Sequence, residues 1–191
     1  MDLRQLEEAL GATGHTDALV SLLTAPSADG PARILAEGGT FMWEQWSPGC
    51  SSAGCTGSAL SQSSSDSFSH GWGSAGIDGI LESLLGVTVT GAGASSVQIA
   101  PPSAGLSRAS GTEWTERGPI TLDWHHAGHS YSLRVSIPDN VSATVVLPTT
   151  VGARYHIEGA GSGHLVLVEG GRAVFAVGSG SSHIEVTASA R

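Results

Sequence analysis

Thr40-Phe41-Met42-Trp43-Glu44-Gln45-Trp46 places one carboxylate between two tryptophans, directly after Gly38-Gly39. Indole faces stack on the apolar faces of sugar rings, and a carboxylate beside them can take a proton from water or hold a hydroxyl. Tryptophan is usually buried, so the competing reading is two core indoles with an incidental glutamate. A second constellation, Ser67-Phe68-Ser69-His70-Gly71-Trp72-Gly73-Ser74, sets an imidazole and another indole among glycines just before a helix start. Glycine allows a ligand close to the backbone. Both segments flank one long loop, so pairing of the surrounding helices would bring Glu44, His70, Trp43, Trp46 and Trp72 to one cleft. Stacking faces plus a few directional hydrogen bonds are what a sugar site requires. His70 taken alone reads as an ordinary buried, hydrogen-bonded histidine.

Other reactive residues carry weaker signals. Cys50 and Cys55 lie in a Ser/Gly-rich loop without further metal ligands nearby, so a local disulfide and two free thiols both stay open. Closing so short a loop would contribute roughly 1.5–2 kcal/mol at best. His125-His126-Ala127-Gly128-His129 reads as a solvated hairpin turning at Ala127-Gly128, not as a metal site. Asp78 and Glu82, four apart, mark a solvated helix face, and Glu37 reads as a surface residue ending the preceding segment. Asn140-Val141-Ser142 is a glycosylation sequon that matters only in a secreted eukaryotic chain.

These residues must be held by elements, and the apolar pattern changes character near Gly86. Before it the pattern is helical. Leu3, Leu6 and Leu10 form one stripe, on a segment that lacks the basic and apolar regions of a signal peptide. That helix starts without lead-in, as in a chain entered mid-domain. Ala18, Leu19, Leu22 and Leu23 form a second stripe, with Thr16 as N-cap and Pro26 past the end. Ile77, Ile80, Leu81, Leu84 and Leu85 form a third, closed by Gly86 as C′ residue. A long loop runs from about Gly38 to Ser69, and its middle is nearly all Ser, Gly, Ala and Cys. After Gly86 the pattern is strand-like. Tyr131, Leu133, Val135 and Ile137 alternate with polar residues, as do Ala143, Val145 and Leu147. His164–Val168 and Ala173–Val177 form a hairpin through Gly170-Gly171.

Composition limits the partners. The 191 residues are 40% hydrophobic and 13% charged, with a net charge of −9. All eight basic residues are arginine. Such a chain is globular, and its charge argues against nucleic acid and anionic membrane surfaces. No apolar run approaches the ~20 residues that span a bilayer. Helices with one-sided stripes need a surface to cover them, either the sheets or further helices.

The heptapeptide at 40–46, the segment 67–73 and Leu81-Glu82-Ser83-Leu84-Leu85-Gly86-Val87 resemble the C-terminal portion of bacterial α-L-rhamnosidases, glycoside hydrolase family 78. Ile99-Ala100-Pro101-Pro102, Gly111-Thr112, Arg117-Gly118-Pro119-Ile120, Trp124, Val135–Asn140 and Ala143–Pro148 continue the resemblance in order. It implies an α+β chain. Residues 1–86 would be the last helices of an (α/α)6 barrel with a long active-site loop, and 87–191 an antiparallel β-sandwich. It also implies hydrolysis of terminal α-L-rhamnosides with inversion and no cofactor. Glu44 would be the general base, His70 a pocket residue, and Trp43, Trp46 and Trp72 pocket walls. Inversion needs two carboxyls roughly 6.5–9.5 Å apart, one protonated and one ionised. A base among tryptophans needs hydrogen bonds or a cation to stay ionised, and His70 is suited to that. The family's general acid lies upstream of this sequence, with most of the barrel, so the chain alone is expected to be inactive. The cysteine-bearing loop departs from the family's usual spacing. A non-catalytic carbohydrate-binding sandwich, or the end of another barrel glycosidase or polysaccharide lyase, is the alternative reading.

Overall fold

The computed structural model describes residues 3–26, 30–44, 67–74, 76–102, 104–161 and 163–189. The chain divides into two compact units, Met1–Ile80 and Leu81–Arg191. The division falls inside the third predicted helix, ahead of Gly86.

The first unit contains α1 (Leu3–Ala12), α2 (Thr16–Thr24), α3 (Pro31–Ala36), a 3-10 turn (Gly71–Ser74) and α4 (Ile77–Ile80). Helix α1 packs on α2 and α4, and α2 packs on α3. Leu19 of the second stripe is fully buried. Thr16 is not the N-cap: His15 holds that position, without a side-chain cap, and Thr16 is the first helical residue. Helix α3 has no apolar stripe long enough to announce it. It starts on Pro31, whose fixed φ suits a first turn, and Arg33 pairs with Glu37 at 2.8 Å across one turn. Glu37 is therefore a half-buried helix end and not a free surface charge.

Among the α1 residues whose burial is described, the most completely buried is Glu7 and not Leu6 or Leu10. A Cβ at Gly79 would lie 2.8 Å from the Cβ of Glu7, so glycine is what lets α4 approach α1. Burial pushes the Glu7 carboxyl up to about 7. A group with a raised folded-state value stabilises fully below its ordinary value near 4.5, and that stability is lost as pH rises through about 7. Melting followed by helical circular dichroism should therefore weaken between those two pH values. Glu7→Gln should flatten the dependence; an unchanged slope would exclude Glu7 as its source.

The chain leaves α4 in a π-turn, Leu81–Leu85, and stops at Gly86 with φ +88°. A Cβ on Gly86 would sit 2.6 Å from Pro101 N and 2.7 Å from Ala100 C. The C′ glycine read from the sequence is thus demanded twice, by its φ and by the neighbouring backbone. The π-turn breaks the expected helical period, and Ile77 is left 54% exposed while Leu85 is buried.

The described residues of the second unit form ten strands: β1 (Val87–Val89), β2 (Ser96–Ile99), β3 (Arg108–Thr115), β4 (Gly118–Ala127), β5 (Ser130–Ile137), β6 (Ser142–Pro148), β7 (Arg154–Gly159), β8 (His164–Glu169), β9 (Arg172–Val177) and β10 (Gly180–Thr187). They form two five-stranded sheets, ordered β1-β2-β6-β9-β8 and β3-β4-β5-β10-β7. Every pairing is antiparallel except β2 with β6, which is parallel. The alternation read in β5 and β6 holds: Tyr131, Leu133, Val135, Ile137, Ala143, Val145 and Leu147 all point into the core. Trp124 and Phe175 are the largest side chains buried with them.

The β8–β9 hairpin turns at Gly170-Gly171 with φ +57° and +75°, the two positive values a type I′ turn needs. Strand β8 is an edge exposed along its whole length. The turn between β4 and β5 is Gly128-His129, one residue later than the sequence suggests. Its histidines are not all solvated. Half-buried His126 hydrogen-bonds Leu106 O through Nε2 at 2.8 Å, and its ring lies nearly parallel to those of Trp124 and Tyr131 at 6.3 and 5.6 Å.

Candidate active site

The two chemistry-bearing segments meet within the first unit. The Glu44 amide donates to Ser67 O at 2.8 Å, and the Ser67 amide donates to Glu44 Oε2 at 2.9 Å. The His70 amide donates to Met42 O at 2.9 Å. Three hydrogen bonds thus lay residues 42–44 against 67–70. Beneath them Trp43 is buried with Ile34, flanked by Met42 and Phe68, and Phe68 meets its ring edge-on at 5.2 Å.

Trp43 therefore presents no stacking face to solvent. Its indole is an anchor that fixes the backbone of its neighbour Glu44. The open face belongs to Trp72, which is 63% exposed. The Trp72 indole N–H donates to Glu44 O at 3.1 Å, and the ring lies 4.3 Å from that of His70. Trp46, Cys50 and Cys55 lie outside the described residues.

The Glu44 carboxylate is partly exposed. One oxygen is held by the Ser67 amide; the other, Oε1, has no hydrogen-bond partner among the described residues. His70 Nδ1 stands 3.7 Å from Oε2, too far for a direct hydrogen bond and close enough for a charge to act. A carboxylate with one oxygen fixed and one free can receive a proton from a water molecule placed beside it. Among the described residues no group of His, Cys, Asp and Glu is arranged to hold a metal ion.

The glycines divide in purpose. Gly71 faces open space, whereas a Cβ on Gly73 would collide with Trp43 O and lie 3.0 Å from Met42 Cβ. Gly73 makes room for the chain that carries Glu44, not for a ligand. Gly73→Ala should push that chain outward at a cost of about 1–3 kcal/mol. Hydrogen exchange at the Glu44 and His70 amides should accelerate accordingly. Retained protection at both would contradict the packing role.

Residues 86–162 match the family described as the bacterial alpha-L-rhamnosidase C-terminal domain. An α-L-rhamnosidase of Streptomyces avermitilis is 32% identical over 180 residues, covering 91% of this chain and 16% of that protein. The solved structure of the Streptomyces avermitilis α-L-rhamnosidase complexed with L-rhamnose aligns with a TM-score of 0.72 at 27% identity, over 93% of this chain and 17% of that one. The chain is related to the C-terminal part of the α-L-rhamnosidases. A second curated α-L-rhamnosidase, from Formosa agariphila, is 28% identical over 146 residues, 75% of this chain and 15% of its own length. The α-L-rhamnosidase structure from Dictyoglumus thermophilum, at 22% identity and a TM-score of 0.68, supports the fold. The chain thus spans about a sixth of the curated α-L-rhamnosidase it matches first.

Two contributors to the site escape a reading of side-chain types. Ser67 acts through its backbone amide, which any residue but proline supplies. Phe68 acts by covering Trp43, and its signal is only that an aromatic residue adjoins the His-Gly-Trp segment.

Proposed function

We propose that this chain is the C-terminal part of an inverting α-L-rhamnosidase, in which Glu44 is the general base that activates water. The observation carrying this reading is the state of the Glu44 carboxylate: Oε2 is held by the Ser67 amide and stands 3.7 Å from His70 Nδ1, Oε1 has no hydrogen-bond partner among the described residues, and exposed Trp72 is bonded to the backbone oxygen of the same residue. In the proposed Michaelis complex Trp72 stacks on the sugar and His70 holds a hydroxyl. Glu44 Oε1 takes a proton from the water that attacks the anomeric carbon. The general acid that protonates the leaving oxygen belongs to the upstream part of the barrel.

The first unit also supports a missing covering surface. Leu35, Phe41 and Ile77 are 73%, 65% and 54% exposed, apolar side chains available to a covering element. Further barrel helices would cover them. The isolated chain, lacking half the acid–base pair, should not hydrolyse an aryl α-L-rhamnoside, whereas the same segment within a complete enzyme should. Clear turnover by the isolated chain would overturn the division of labour.

A further inference from the structure

The outer face of the second sheet carries an open groove of 670 Å³ that the Glu44 cluster does not use, running across β4, β5, β10 and β7. Register puts Asp123 opposite Arg134, Arg134 opposite His183, and His183 opposite Glu158. One row across four strands therefore offers a carboxylate, a guanidinium, an imidazole and a second carboxylate. The next row, Thr121, Ser136 and Ser181, adds hydroxyls. Neighbouring donor and acceptor side chains can take adjacent hydroxyls, because each sugar hydroxyl both donates and accepts.

The far wall is fixed in advance. His183 hydrogen-bonds Ser132 Oγ through Nε2 at 2.9 Å and Glu158 Oε1 through Nδ1 at 3.2 Å. Hydrogen bonds from His183 and then His156 hold the Glu158 carboxyl below its ordinary value, so it remains an acceptor. Exposed Asp123 and Arg134 form no ion pair with each other among the described residues. Their hydrogen-bonding capacity is available to a ligand.

Trp114 lies along one flank of this face. It alternates onto the same side of β3 as Ser110 and Thr112, which oppose Asp123 and Thr121, and it is 75% exposed. An indole left in solvent beside rows of hydrogen-bonding groups has the two properties sugar rings need, a stacking face and directional polar contacts. The mixed charges of the groove and the net charge of −9 favour a neutral ligand over a polyanion.

We propose that this groove is a second carbohydrate site, holding a neutral oligosaccharide by stacking on Trp114 and by hydrogen bonds from its hydroxyls to Asp123, Arg134 and Glu158. It does not depend on the role assigned to Glu44. The test is an amide-resolved NMR titration of the 191-residue chain with L-rhamnose, rutinose, cellohexaose and xylohexaose. At least one of these should give saturable shifts at residues 121–123, 134–136 and 181–183, with a Kd of about 1 mM. Trp114→Ala and Arg134→Ala, both at exposed positions, should each weaken that binding about tenfold, while Glu44→Gln leaves it unchanged. Matching melting temperatures for the variants exclude unfolding as the cause. The proposal fails if none of the four sugars shifts these amides. It fails equally if the shifts fall only within residues 40–74, or if both groove variants bind like the parent.

Discussion

Glu44→Gln in the complete enzyme should lower kcat for an aryl α-L-rhamnoside by about a hundred- to ten-thousand-fold, the usual contribution of a general base. Binding of L-rhamnose should change little. The reasoning is geometric. Glutamine keeps an acceptor oxygen for the Ser67 amide, so the contact that fixes position 44 survives. The Trp72 indole bonds the backbone oxygen of residue 44, which the substitution does not touch. What disappears is the capacity to accept a proton at Oε1. The loss should therefore appear in kcat with KM nearly constant, the mark of an interaction made only in the transition state. Near-normal turnover would remove Glu44 from the mechanism. An equal loss of rhamnose binding would recast it as a binding residue.

Trp124→Ala should destabilise the sandwich by about 3–5 kcal/mol, the range for emptying a buried aromatic site. Trp124 is fully buried, lies opposite Ala109 and Leu133 on the flanking strands, and has Tyr131 with its ring 5.7 Å away. Its indole N–H has no hydrogen-bond partner among the described residues. Burying an unsatisfied donor costs about 1–3 kcal/mol, so Trp124→Phe removes a penalty together with part of the packing. The phenylalanine variant should therefore lie much closer to the parent than to alanine. Thermal unfolding followed by sheet circular dichroism separates them, with a fall of roughly 10 °C for alanine. An alanine variant melting with the parent would show that the core does not rest on this ring.

The sandwich was more legible in the sequence than the helical unit, for a reason visible at individual positions. Period-two alternation depends only on the strand being a strand, so β5 and β6 could be read directly. The parallel pairing of β2 with β6 could not, because neither strand's pattern specifies its neighbour. Among the helices, reading apolar stripes misses Glu7, a buried carboxylate on the face that meets Gly79. The stripe from Ile77 to Leu85 assumes 3.6 residues per turn, and the π-turn rotates its second half away from that register. At the candidate site, the sequence brought Glu44, His70 and Trp72 together but could not sort the tryptophans. Trp43 and Trp72 are the same residue type. What buries one and exposes the other is Ile34 and Phe68, from opposite sides of a long loop.

The reciprocal pair of hydrogen bonds between Glu44 and Ser67 joins the two ends of residues 45–66. Such a clasp separates two selective pressures. The intervening segment can lengthen, shorten or change composition, while the carboxylate stays where the clasp and the Trp43 anchor hold it. Changes confined to residues 45–66 would thus leave the position of the Glu44 carboxylate unaltered.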